Sequence, residues 1–247
     1  MRVGLFIPCY VDAFFPEVAI ATLELLERFG LEVGYPLDQT CCGQPMANSG
    51  CQADAAATEA LFVRNFREFD CIVTPSGSCA YHVREHLDAI PQTDEVAKVR
   101  GNIHELVEFL HDVVKVDALP WAAFPHKVGL HNTCTTLRKL RAASTSEIAE
   151  PPFSKPMDLL RMVQSIEFVM PSRPDECCGF GGTFSVFEEP VSAKMGYDKV
   201  RDHLRAGADY IVSADMSCLM HQKGCAERLG MDIKFIHIAQ ILNGARA

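Results

Sequence analysis

Four landmarks occur twice in this chain, in the same order, and that duplication limits the fold more than any other feature. Arg2-Val-Gly-Leu-Phe-Ile-Pro-Cys9 is echoed by Lys127-Val-Gly-Leu-His-Asn-Thr-Cys134; in both, an apolar strand runs into a cysteine. Cys41-Cys42-Gly43 is echoed by Cys177-Cys178-Gly179. Asp70-Cys-Ile-Val-Thr-Pro-Ser-Gly-Ser-Cys79 is echoed by Asp209-Tyr-Ile-Val-Ser-Ala-Asp-Met-Ser-Cys218. Ile103-His104 and Ile236-His237 open the fourth pair. The first interval grows from 31 residues (Cys9 to Cys41) to 42 (Cys134 to Cys177), and the proline-rich stretch Glu150–Pro156 reads as the inserted loop. Two tandem units are expected, 1–120 and 121–247, meeting near Ala118–Pro125.

Within each unit, short runs rich in Val, Ile and Phe alternate with stretches of helical spacing. Strands are expected at 2–8, 31–35, 70–74, 127–132, 166–170, 209–213 and 232–236. Helices are expected at 16–29, 52–67, 79–90, 102–114, 156–164, 190–206, 218–229 and 238–243. This alternation predicts an α/β fold of two repeated units with mostly parallel sheets. Ligands of such sheets gather beyond the carboxyl ends of the strands. The repeated cysteines fall in the loops that follow the predicted strands.

Eight of the 11 cysteines hold repeat-equivalent positions: Cys9, Cys41, Cys42 and Cys79, then Cys134, Cys177, Cys178 and Cys218. Four thiolates per unit is the number a 4Fe-4S cluster or a tetrahedral zinc takes. A cluster accepts ligands from separate loops, whereas structural zinc sites favour C-x₂₋₄-C pairs, and these eight residues contain none. One cluster per repeat at most is expected, and zinc in one repeat stays open. Buried structural cysteines would leave the repetition unexplained, and thiol–disulfide chemistry lacks a C-x-x-C motif here. Eleven cysteines in 247 residues are too sparse for a disulfide scaffold. The apolar run of residues 2–7 breaks at Pro8, which suits a core strand and not a secretory signal. A reducing, cytoplasmic setting is therefore expected. Acidic residues exceed basic ones, 32 to 23, with no basic stretch, so nucleic acid is not an expected partner. No apolar run approaches the roughly 18 residues of a membrane span.

The pattern C…CCG…C, given twice, resembles the cysteine-rich CCG domain of heterodisulfide reductase, glycolate oxidase and related iron–sulfur oxidoreductases. Ile7-Pro-Cys-Tyr-Val-Asp12, Thr40-Cys-Cys-Gly-Gln-Pro-Met46, Pro75-Ser-Gly-Ser-Cys79 and Cys177-Cys-Gly-Phe-Gly-Gly-Thr-Phe-Ser185 are similar to the lactate utilization protein A family. That resemblance implies an iron–sulfur oxidoreductase subunit in the oxidation of L-lactate, a small 2-hydroxy acid, to pyruvate. It implies electron transfer with a ferredoxin-type iron–sulfur subunit and a third small subunit. The alternatives are a glycolate oxidase or heterodisulfide reductase-like subunit, and a zinc-stabilised non-catalytic interaction module. The fuller CCG motif ends in C-x-x-C; here Ser76 and Asp215 stand where its first cysteine would be.

Other residues take simpler readings. Gly179-Phe-Gly-Gly182 does not match G-x-G-x-x-G and reads as a tight turn, as does Gly43. Arg138 could clamp a carboxylate, but a surface arginine and a strand-end His131 are the plainer expectation; the same holds for Lys194 and Lys199. His104 and His237 read as helix-start residues satisfying local backbone. Cys71 reads as a core thiol, and Cys51 and Cys225 lack repeat partners. No residue is singled out as catalytic.

Overall fold

A computed structural model describes residues 1–245. Its eight strands form two four-stranded sheets, parallel throughout. The first contains β1 (Arg2–Leu5), β2 (Glu32–Gly34), β3 (Cys71–Thr74) and β4 (Ile103–Glu105) in the order β2-β1-β3-β4. The second contains β5 (Lys127–Leu130), β6 (Glu167–Val169), β7 (Tyr210–Ser213) and β8 (Lys234–His237) in the order β6-β5-β7-β8. The registers match: Val3 pairs with Cys71 as Val128 pairs with Tyr210.

Period-2 alternation divides each sheet into two faces. Val3 and Leu5 of β1 and Val128 and Leu130 of β5 enter one common core that runs through both units. The helix Pro16–Arg28 packs against the helix Ile238–Leu242 from the opposite end of the chain. Trp121 Nε1 seals that seam by donating to the Leu242 carbonyl (2.9 Å). The other face of the first sheet is covered by the helix Ala56–Phe66; Phe6, Phe62, Phe66 and Phe69 form a second, smaller core there. Gly4 is required beneath them, since a Cβ would lie 2.8 Å from the Phe69 ring. Gly129 meets the same close approach in the second unit, but from His203, on the helix Glu189–Arg205.

The eighth strand, β4, was hidden inside the predicted helix 102–114. Leu106, Val107, Phe109 and Leu110 have helical spacing, and no Gly or Pro separates them from the three residues that join the sheet edge. A short helix begins only at Leu106 and continues as a π-helical stretch, Phe109–Val114. The helix Asp94–Asn102, capped by Thr93 Oγ1, also lay outside the predicted elements. The registers further correct the fourth repeat landmark by one residue. Thr74 pairs with Glu105 as Ser213 pairs with His237, so His237 corresponds to Glu105 and not to His104.

Candidate metal centres

Each unit brings its four repeated cysteines to the carboxyl edge of its sheet. Cys9 and Cys134 are the first residues of short helices after β1 and β5. Cys79 and Cys218 are the third residues of the helices Gly77–His86 and Met216–Arg228, which follow β3 and β7. The vicinal pairs lie in loops after β2 and β6. There Gly43 (φ 95°) and Gly179 (φ 92°) take the left-handed turn that a side chain resists. In both loops the glycine N–H donates to the first sulfur of the pair, at 3.4 Å to Cys41 and 3.4 Å to Cys177.

In each unit the four thiols shift one another's acidity in the same order, Cys9, Cys41, Cys42 and Cys79, then Cys134, Cys177, Cys178 and Cys218. Each series runs from the accessible Cys9 or half-buried Cys134 inward to buried cysteines. Hydrogen bonds from Cys42 and then Cys9 hold the Cys41 thiol far below its ordinary value. The same sharing pushes Cys9 up, through Cys41 first and burial second, and Cys134 up through Cys177 and burial. A metal would displace these shared protons.

Three positions differ from the sequence reading. His131 is not a plain strand-end residue. It is 1% exposed, and neither ring nitrogen has a hydrogen-bond partner among the described residues. A ring nitrogen of His131 and the sulfurs of Cys178 and Cys218 all lie within 4.8 Å of one another. Burial, Lys199 and His203 keep its imidazole neutral, the form that ligates metals. Lys199 is fully buried, its ammonium donating to the Arg173 carbonyl (2.5 Å). His104 lies on β4 beside Glu108 (3.8 Å), whereas His237 caps the last helix, its Nδ1 accepting from Ala239 N–H (3.1 Å).

Arg138 is engaged with Glu147 and the Asp175 carbonyl, and lines a charged recess with Ser172 and Arg173. Lys194 pairs with Asp198 in solvent. Cys51 is exposed, Cys71 lies against Met1 Sδ (3.7 Å), and Cys225 sits under His221, outside the four-cysteine set.

Two residues escaped the sequence reading. His82 and His221 each follow the last cysteine of their unit by three residues, one helical turn on. His82 is buried against the Gly43 turn, its Nε2 3.5 Å from where a Cβ would stand. Burial lowers its imidazole to about 4. His221 hydrogen-bonds the Ser192 carbonyl (3.2 Å). The signal was present as C-x-x-H in both units.

The inner edges of the two centres meet. Ser76 caps the helix that carries Cys79, and Asp215 caps the helix that carries Cys218. Asp215 is 1% exposed and accepts five hydrogen bonds. Two come from Ser217 N–H and Oγ, one from Tyr10 Oη (2.9 Å), and two cross from the other helix, Ser76 Oγ (3.0 Å) and Ser78 N–H (3.1 Å). One carboxylate therefore caps both helix N-termini, where the helix dipoles favour negative charge.

The donor sets suit a thiophilic metal or an iron–sulfur group: four free thiols per unit, and in the second an imidazole with two unpartnered nitrogens close to two of them. Duplicated parallel sheets, each with a C…CCG…C thiol group at its carboxyl edge, define a cysteine-rich CCG protein. The profile of the cysteine-rich domain CCG matches residues 3–84 and 128–223. A lactate utilization protein A of Geobacillus thermodenitrificans is 39% identical over 98% of this chain and 99% of its own length. That of Halalkalibacterium halodurans is 38% identical over 98% and 97%. The chain belongs to the lactate utilization protein A family. Among solved structures, a hypothetical protein from Helicobacter pylori shares the fold, with a TM-score of 0.59 at 12% identity; this chain covers 48% of its length. No helix among the described residues is long and apolar enough to cross a membrane.

Proposed function

We propose that this chain is an iron–sulfur oxidoreductase subunit in the oxidation of L-lactate to pyruvate, acting in the cytoplasm. The observation that carries the proposal is the four-cysteine set repeated at the carboxyl edge of both sheets, joined to kinship over 98% of the chain with relatives named for lactate utilization. Cys9, Cys41, Cys42 and Cys79 would hold one group, and Cys134, Cys177, Cys178 and Cys218 the other. When bound, a cysteine-ligated cluster supplies one-electron transfer. The rest belongs to the chain's own residues. The glycine turns aim a backbone N–H at the first sulfur of each pair and stabilise its thiolate. The cysteine-bearing helices set their N-termini toward the centres, and Asp215 fixes the two helices relative to each other. The buried inner cysteines keep water from one side of each centre.

Removing two electrons from a 2-hydroxy acid calls for further carriers. In this reading they are a ferredoxin-type iron–sulfur subunit and a third small subunit. Anaerobically purified protein should be brown, with iron and sulfide near four per occupied centre, about the cluster stoichiometry. Cys42→Ala and Cys178→Ala should each lower that content. Colourless, iron-free protein after anaerobic reconstitution would overturn the reading. Growth of a deletion strain on lactate against glycolate separates lactate oxidation from the glycolate alternative.

A further inference from the structure

The two units differ on one face of their sheets. After β1, Phe6 stacks edge-on against Phe62 (4.8 Å) and Phe66 (5.8 Å). After β5, the corresponding residue is His131, and the covering helix contributes Lys199 and His203 instead of phenylalanines. A buried phenyl ring needs no polar partner. A buried imidazole without one has given up its hydration with nothing in return. Lys199 and His203 offer no relief: Lys199 is a cation donating to backbone carbonyls, and both His203 nitrogens are also unpartnered. The groups facing His131 that would welcome a ligand nitrogen are the sulfurs of Cys178 and Cys218.

We propose that His131 supplies a nitrogen ligand to the metal centre of the second unit. That centre is then a mixed nitrogen–sulfur site with Cys178 and Cys218, while the first centre, with Phe6 in the corresponding place, is held by thiolates alone. The proposal rests on the metal-binding reading above, and its test separates the two.

Cobalt(II), a paramagnetic probe of thiolate and imidazole sites, is titrated anaerobically into the metal-stripped full-length chain. Pulsed EPR reads nitrogen coupling, and metal analysis reads stoichiometry. The wild type should show a histidine coupling that changes isotope when the chain is grown on ¹⁵N-histidine. His131→Phe, which copies the first unit, should abolish that coupling and weaken the second site by about tenfold or more. Cys178→Ser should weaken the same site. A coupling that is absent in the wild type, or survives His131→Phe with unchanged affinity, overturns the assignment while leaving the thiolate centres standing. A wild type that binds neither cobalt nor iron overturns both. Should His131→Phe not fold, His131→Asn takes its place in the same comparison, with the same outcomes deciding.

Discussion

Asp215 receives every donor that two helix ends and a phenol aim at it, and it lies where the family pattern has a cysteine. Removing it leaves the Ser78 and Ser217 N–H groups without an acceptor in a buried site, while Tyr10 Oη keeps Ser76 Oγ (3.2 Å) and Ser76 Oγ keeps Ser78 Oγ (3.1 Å). Burial, then Asp215, pushes the Tyr10 phenol up, so it stays a donor. Asp215→Ala should therefore cost about 3 kcal/mol in denaturant unfolding. Ser76→Ala, which keeps the carboxylate but removes one donor to it and the cap on Cys79 N–H, should cost less, about 1–2 kcal/mol. Equal effects would show that Asp215 acts only within its own helix. The sequence marked both positions as departures from the C-x-x-C pattern. It had no way to show that residues 139 apart bond each other. That contact exists only once the two sheets are packed.

Among the elements, strands and helices with a clear period were legible, and those without one were not. β1, β3, β5 and β7 are Val- and Ile-rich and central, and they lie within one or two residues of their expected starts. β4 is three residues long, at a sheet edge, and runs directly into a helix. The cysteine positions were legible because the repeat fixes them. His131 was not, because its meaning comes from the alternation of β5: it shares the face of Gly129, under His203. That face also sets the response to acid. Burial lowers His203 to about 3 and His237 to about 4, against an ordinary value of 6.5. Depressed histidines give stability that is full above 6.5 and lost as pH falls toward those values, because the unfolded chain takes protons that the folded one refuses. Glu105 runs the other way: burial raises it to about 8 from 4.5, so its contribution is full below 4.5 and gone above 8. The thermal midpoint of metal-free protein should fall as the solution is acidified from 6.5 to 4. His203→Phe, which restores the packing that Phe66 gives the first sheet, should make that acid limb shallower. An unchanged limb would assign the acid sensitivity to other groups.

At the scale of the whole molecule, the common core makes the units depend on each other. Val3, Leu5, Val128 and Leu130 bury into one cluster, and the first long helix rests on the last one. Fragments 1–120 and 121–247 expressed separately should each expose much of that cluster and fail to give a cooperative thermal transition, whereas co-expression should restore one. Two independent transitions at the full-length midpoint would show self-sufficient domains. Metal adds a second layer of coupling. Chelation under anaerobic conditions should lower the midpoint of the loaded chain, since ligand binding to the folded state alone adds its free energy to stability.

The bridge between the helix caps has a consequence for self-association. Two copies of the first unit, docked as the units dock here, would set serine against serine, with no anion for the opposed N–H groups. Two copies of the second would bury aspartate against aspartate, and one of them would have to take up a proton. Only unlike units satisfy the joint, with the hydroxyl on one side and the carboxylate on the other. The duplicated chain thus carries a lock that fits one unit to its unlike counterpart and not to a copy of itself.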